Sequence, residues 1–264
     1  INPGEECVIS ELTFPAYENI VGKMDGKPVI VPMAPGYKQD IDAMLAKVTP
    51  KTKILFLCNP NNPTGTLIGK ADFEKILKTV GENTLIVSDE AYYEFVEDPD
   101  YPQSVNYLKD HPNLIILRTF SKIMGLASVR IGYLIAHPDI VKAMLKTREP
   151  FPVNRPAQAG ALAAMDDHEF VEKVVRVNSE GRKQIAAALA DMGFEVIAGH
   201  GNFVFADLKK PVAQVYEELL KVGVIIRPLN SQGAPNCIRV TIGTKEQNDR
   251  FIRSFKEAYN KVYS

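Results

Sequence analysis

Residues 54–65 read ILFLCNPNNPTG, an unbroken apolar run that gives way at once to a polar turn. An uninterrupted run of this length predicts a strand buried on both faces, as in a parallel sheet. Two later stretches repeat the plan: LIVS at 85–88 leads into DEAYYEF at 89–95, and LIIL at 114–117 leads into RTFSK at 118–122. In an open α/β sheet the carboxyl ends of neighbouring strands face one crevice, so the polar residues after these three runs are expected to meet.

Working outward, CVIS at 7–10, PVIVP at 28–32 and IGYLIA at 131–136 predict further strands. Between the strands lie helical patterns. DIDAMLAKV places Ile41, Met44, Leu45 and Val48 on one face, and KADFEKILKTV does the same with Phe73, Ile76, Leu77 and Val80. Strand–helix–strand units of this kind predict a mostly parallel sheet flanked by helices, over residues 1–147. A proline-rich joint, REPFPVNRP, opens the remainder, 148–264. One long helical stretch from Ala157 is expected to end at Gly193, where left-handed backbone is tolerated. FEVI, NFVFADL, VIIRPL and CIRVTIG then alternate with PVAQVYEELLKVG and a closing helix from Lys245, which predicts a smaller C-terminal α/β domain.

Composition narrows the partners. With 31 basic and 32 acidic residues the formal charge is −1, so neither nucleic acid nor an anionic membrane surface is favoured. No apolar run approaches the roughly 18 residues that span a bilayer. Cys7, Cys58 and Cys237 are odd in number and widely spaced, which argues against a disulfide framework and for a reducing, cytoplasmic compartment. His111, His137, His168 and His200 form no metal-binding spacing, so no metal is expected. The chain opens INPGEECVIS, without an initiating Met, and the expectation is that an N-terminal piece is missing.

Each polar segment has an ordinary structural reading. NPNNPTG can be a turn, Asp89 and Glu90 can cap a helix, and Lys122 can be a solvated amine. At three successive strand ends those readings lose weight together. A lysine amine such as Lys122 condenses with an aldehyde to a Schiff base. Thr119, Ser121 and Arg130 offer two hydroxyls and a guanidinium, a set that grips phosphate. A buried carboxylate such as Asp89 holds a pyridine nitrogen protonated, while Tyr92 and Asn62 can donate to a phenolate oxygen. Aldehyde, phosphate, pyridine nitrogen and phenolate together describe pyridoxal phosphate.

NPNNPTG, SDEAYYEF and TFSK followed by RIGY resemble the fold-type I aminotransferases, the aspartate aminotransferase superfamily. The finer pattern, GNFVFADL, VGVIIRPL and CIRVTIGTKEQNDRFI, is similar to the histidinol-phosphate aminotransferases, over nearly the whole chain and in the same order. The resemblance implies the fold-type I architecture of pyridoxal-phosphate-dependent transferases, with a large cofactor-binding domain and a small one. It implies Lys122 as the Schiff-base lysine, Asp89 on the pyridine nitrogen, Asn62 and Tyr92 on the 3-hydroxyl, and Thr119, Ser121 and Arg130 on the phosphate. Phe14, in LTFPAY, falls where these enzymes stack a ring on the cofactor, and reads equally as a core residue beside a turn. Arg239 matches the arginine that binds a substrate carboxylate, and an arginine among apolar strand residues is costly unless paired. Arg227 and Asn154 are weaker candidates for the substrate pocket and read equally as loop residues. The resemblance further implies a cytoplasmic homodimer acting on an amino-acid or amino-alcohol phosphate, such as histidinol phosphate, with glutamate and 2-oxoglutarate as the other pair.

The resemblance implies, ahead of residue 1, a small-residue phosphate loop and a tyrosine arm that reaches the partner subunit, the piece expected to be missing here. Ser128 and Val129 also stand where glycine and leucine are more usual, which bears on the packing under Arg130. Because the cofactor end of such a site is shared, an aromatic aminotransferase and a threonine-phosphate decarboxylase-like enzyme remain alternatives. A non-enzymatic pyridoxal-phosphate-binding module of a regulator is the rival of another class.

Overall fold

The computed structural model describes residues 1–264. In chain order the first part runs β1 (Glu6–Ser10), α1 (Ala16–Lys23), β2 (Lys27–Val31), a hairpin of β3 (Met33–Ala34) and β4 (Lys38–Gln39), α2 (Ile41–Ala46), β5 (Thr52–Cys58), α3 (Lys70–Thr79), β6 (Leu85–Asp89), β7 (Leu114–Thr119) and β8 (Gly132–Ala136). Six of these strands form one sheet in the order β2-β1-β5-β6-β7-β8. Helices cover both faces. On one, Val8, Leu55, Leu57, Ile86, Leu114 and Ile116 pack against Phe73, Ile76 and Leu77 of α3 and Ile41 and Met44 of α2. On the other, Cys7, Ile9 and Cys58 pack against Tyr17 and Val21 of α1. This two-sided burial is why the strands read as continuous apolar runs.

Neighbours from β2 to β7 are parallel, but β8 runs antiparallel to β7, with Thr119 opposite Gly132. The βαβ reading therefore stops at β7. A parallel return needs a crossover, usually a helix, and the chain between β7 and β8 holds only a single 3-10 turn at Ala127–Val129.

The second part contains α4 (Pro138–Thr147), α5 (Arg155–Asp166), α6 (His168–Asp191), β9 (Glu195–Ile197), β10 (Phe203–Asp207), α7 (Ala213–Lys221), β11 (Arg227–Leu229), β12 (Ala234–Thr241) and α8 (Lys245–Tyr263). The long helical stretch is two helices, not one. Asp167 leaves helical geometry, and its carboxylate accepts from Phe170 N at 3.0 Å, so it caps α6 and breaks the run. Gly193 does follow α6 in the left-handed region, at φ +84°. The four strands pair antiparallel in the order β11-β12-β10-β9. Val204, Ala206, Ile238 and Val240 of that sheet bury against Val215, Leu219, Phe251 and Phe255 of α7 and α8.

Polar side chains tie the two sheets together. Arg182 of α6 donates to Gly199 O at 2.9 Å and pairs with Glu97, while Tyr37 OH donates to Asp207 Oδ2 at 2.6 Å. His200 N donates to Gly65 O at 2.9 Å, at the end of the NPNNPTG loop. Here the two backbones touch: a Cβ on Gly199 would lie 2.8 Å from Gly65 Cα, and both glycines have positive φ. No helix is long and apolar enough to cross a membrane.

Candidate active site

Register places the three polar segments side by side. Cys58 lies opposite Asp89, and Asp89 opposite Leu117. The pairing continues past the strands, with Asn59 N donating to Asp89 O and Glu90 N to Leu117 O, each at 2.9 Å. The loops after β5, β6 and β7 therefore leave the sheet at one edge, as open parallel sheets require.

In the first loop Asn59 and Asn61 use their amides on backbone and neighbouring hydroxyls. Asn59 exchanges two bonds with Ile68, and Asn61 accepts from Thr13 Oγ1 at 2.7 Å while donating to Leu12 O and Thr64 Oγ1. Asn62 is used differently. Its Oδ1 accepts from Arg239 NH1 at 2.7 Å, across 177 residues of sequence, which leaves its amide N–H groups available as donors.

Asp89 ends β6 with each carboxylate oxygen engaged: Oδ2 accepts from Tyr17 OH at 2.6 Å and Oδ1 from Ala91 N at 3.2 Å. Its capping of the next turn is thus real, but it takes only one oxygen. Burial pushes its pKa up, opposed by those two hydrogen bonds and by the charge of Lys122. The Lys122 amine has no hydrogen bond or ion pair within the chain and lies 5.2 Å from the centre of the Tyr92 ring. Burial lowers its pKa, with further lowering from the positive charges of Arg239 and Arg130, while Asp89 acts in the opposite sense. Tyr92 is buried edge-on against Phe203, and burial pushes its phenol upward, so the hydroxyl stays protonated and can donate.

Thr119 Oγ1 accepts from Ser121 N at 3.0 Å, which turns the chain after β7. Arg130 sits in left-handed backbone at φ +57° and donates to Ala127 O at 2.7 Å. The strand that follows returns close to Thr119 through Gly132, where a Cβ would lie 2.9 Å from Arg118 O. Phe14 is 41% exposed and touches Tyr17 edge-on, so the reading of it as a core residue does not hold.

Arg239 stands mid-strand in β12, with its guanidinium 5.2 Å over the Phe203 ring. Its Nε is buried without a partner, and no carboxylate pairs with it. Burial, and the charge of the neighbouring Arg227, lower its pKa, with Tyr92 acting the other way. Arg227 lies directly opposite it on β11 and is exposed. The buried Arg239 Nε is left able to donate to an anion, and the exposed Arg227 adds positive charge beside it. Asn154 caps α5, its side chain accepting from Ala157 N at 2.8 Å.

The donor set fits pyridoxal phosphate. A free amine of lowered pKa lies 5.2 Å from the Tyr92 ring and within the electrostatic reach of Asp89 and Arg130, Thr119 and Ser121 follow the adjoining strand, and the buried Arg239 Nε remains to be satisfied. Sequence reasoning missed Tyr17. Its signal was the aromatic residue one turn beyond Phe14 in TFPAY, but the link to Asp89, 72 residues away, follows only from sheet order.

The family model for aminotransferase class I and II matches residues 1–255. A histidinol-phosphate aminotransferase of Moorella thermoacetica is 43% identical over 97% of this chain and 67% of its own length. One from Caldicellulosiruptor saccharolyticus is 38% identical, covering 97% and 72%. Among solved structures, histidinol-phosphate aminotransferase from Sinorhizobium meliloti, in complex with pyridoxal-5'-phosphate, superposes with a TM-score of 0.92 at 29% identity, over 99% of this chain and 72% of that one. With the fold, the clustered donors and these relatives in agreement, the chain belongs to the class I and II aminotransferases, pyridoxal-phosphate-dependent enzymes of fold type I.

Proposed function

We propose that this chain transfers the amino group of histidinol phosphate to 2-oxoglutarate, giving glutamate, in histidine biosynthesis. The observation that carries the reading is Arg239: a half-buried guanidinium with an unpartnered Nε, tied to Asn62 and near enough to depress the Lys122 pKa, supports a role in binding an anionic substrate near the amine. The relatives at 38–43% identity bear the same activity in their names.

Bound pyridoxal phosphate supplies a sink for the electron pair left at the substrate Cα. The residues divide the remaining work. Lys122 Nζ, biased toward its neutral form, has a lone pair with which to take and return the Cα proton. The carboxylate of Asp89 holds a proton at the ring nitrogen. Tyr92 OH and the Asn62 amide donate to the phenolic oxygen, and Thr119, Ser121 and Arg130 bind the phosphate. Phe14, exposed beside the loop that Thr13 anchors to Asn61, offers a face to the ring. Arg239, aided by Arg227, receives the carboxylate of glutamate. Asn154 serves the pocket indirectly, through the start of α5.

Residues 1–147 and 148–264 form the large and small domains on this reading, supported by the confinement of each sheet to one side of that boundary. Exposed Phe151, Leu162 and Met165 support a homodimer, and three unpaired buried thiols support a reducing cytoplasm.

The test is turnover by the full-length protein. Histidinol phosphate should outrun phenylalanine and tyrosine as amino donor, and threonine phosphate should not be decarboxylated. Arg239→Lys keeps the charge but loses the planar fork, so the cofactor's absorbance should persist while turnover with glutamate falls at least about tenfold, roughly 1.4 kcal/mol. A preference for aromatic donors would reassign the substrate. A cofactor trapped on Lys122 by borohydride without any half-reaction would move the chain to the regulator class.

A further inference from the structure

We propose that Tyr37 is a positioning residue for substrate binding: resting on the reading of Arg239 above, the β3–β4 hairpin docks through this side chain on the sheet that carries Arg239 and fixes where the guanidinium stands relative to Asn62. The hairpin turns through Pro35, Gly36 and Tyr37, because Ala34 pairs with Lys38 and Met33 with Gln39. Tyr37 holds left-handed backbone at φ +57°. That conformation is uncommon for a bulky residue and easy for glycine, so the turn alone gives no reason for a tyrosine. The contacts of the side chain give one.

The hairpin is fastened on two sides. Toward the first sheet, Gln39 Nε2 donates to Cys58 O at 2.8 Å and Thr66 Oγ1 to Tyr37 O at 3.1 Å, at either end of the loop that carries Asn62. Toward the second, the Tyr37 ring packs on Phe205 at 4.6 Å between centres, its hydroxyl donates to Asp207 Oδ2 at 2.6 Å, and Cys237 Sγ lies 3.8 Å from that hydroxyl. Phe205 is directly opposite Arg239 on the paired strands β10 and β12, and Asp207 is opposite Cys237. Alternate residues of a strand share a face, so Tyr37 docks on the face from which Arg239 projects, against its cross-strand partner. The hairpin thus runs alongside the Arg239–Asn62 bond and joins the same loop to the same sheet. Burial pushes the Tyr37 phenol upward, so it stays protonated and donates. Burial opposes the charge of Asp207, but hydrogen bonds from Lys209 and Tyr37 outweigh it and lower the carboxyl. The bond therefore joins a neutral donor to a carboxylate, one of the stronger kinds, and phenylalanine at position 37 would keep the ring contact and lose that bond.

The experiment follows the single-turnover half-reaction of the full-length protein with glutamate, which separates the half-saturation concentration from the limiting rate. Tyr37→Phe should raise the half-saturation concentration about fivefold, less than a whole hydrogen bond to a charge because the ring contact remains, and leave the limiting rate within about twofold. The cofactor's absorbance should not change. Arg239→Lys should weaken glutamate binding, and adding Tyr37→Phe to it should cost little more, because both changes spoil one contact. A purely structural role would add its full loss to that of Arg239→Lys. That outcome, or an unchanged half-saturation concentration in Tyr37→Phe, would overturn the proposal. Should Tyr37→Phe fail to fold, Asp207→Asn weakens the same bond while filling the same space, and the half-saturation concentration should rise about threefold. No rise in that variant would equally overturn the proposal. If Arg239→Lys binds glutamate as the wild type does, the reading of Arg239 fails and the role of Tyr37 fails with it. If Arg239→Lys is impaired and Tyr37→Phe is not, only the role of Tyr37 falls.

Discussion

Asp89 carries a raised pKa in the folded chain because burial outweighs the hydrogen bonds that it accepts. A group raised in this way contributes stability below its unfolded pKa of about 3.9 and loses that contribution as pH rises through the folded value, so at neutral pH the charged carboxylate opposes folding. Asp89→Asn should accordingly raise the thermal midpoint of the cofactor-free protein at pH 7 by a few degrees. The gain should close toward pH 3, where both side chains are neutral, and a midpoint lowered at pH 7 would contradict the assignment. Lys122 and Asp89 were legible in the sequence for a local reason: each follows an apolar run that could only be a buried strand. Arg239 was legible as an arginine among apolar residues. The bond between Arg239 and Asn62 was not, because nothing within either segment records which loop the other faces.

Elements show where such reading stops. The apolar runs announced the strands, but the reversal of β8 and the break between α5 and α6 depend on what lies between elements: a return without a crossover helix, and an aspartate that caps instead of continuing. The edge formed by β6 and β7 is pinned by a buried ion pair that was equally hidden. Arg118 donates to Glu90 Oε2 through both Nε and NH2, at 2.9 and 2.6 Å, and its guanidinium stacks 3.4 Å from the Tyr93 ring centre. Ser88 donates to the other Glu90 oxygen at 3.1 Å, and Glu90 is fully buried. Arg118→Met keeps much of the volume but leaves a buried charge uncompensated, a loss of about 3–5 kcal/mol. Urea denaturation should show it, and the double change with Glu90→Gln should recover a large part. If the single variant unfolds at the wild-type midpoint, the pair does not hold these strand ends.

At the scale of the whole molecule, the loop after β5 meets the loop after β9 in a backbone contact at Gly65 and Gly199. Gly199→Ala would place a methyl 2.8 Å from Gly65 Cα in left-handed backbone at φ +64°, so both the close approach and the dihedral oppose it. Stability should fall by about 1–3 kcal/mol and the KM for amino donor should rise, since the loop carrying Asn62 must move away from Arg239. Thermal melts and steady-state kinetics measure the two effects; an unaltered KM would show that the loop tolerates the displacement. Sheet partnership of this sort is invisible in a one-dimensional pattern, where positions 65 and 199 are simply two glycines in turns. The hydrogen bond from Arg239 to Asn62 has a consequence for biosynthesis of the chain itself. A ribosome releases residue 62 long before residue 239, and its exit tunnel conceals the newest stretch of polypeptide. The crevice consequently lacks one wall until residue 239 has emerged, 177 residues after Asn62. Nascent chains should therefore acquire tight affinity for the vitamin-derived ligand only after residue 239 has left the tunnel, while the first sheet has had time to fold beforehand.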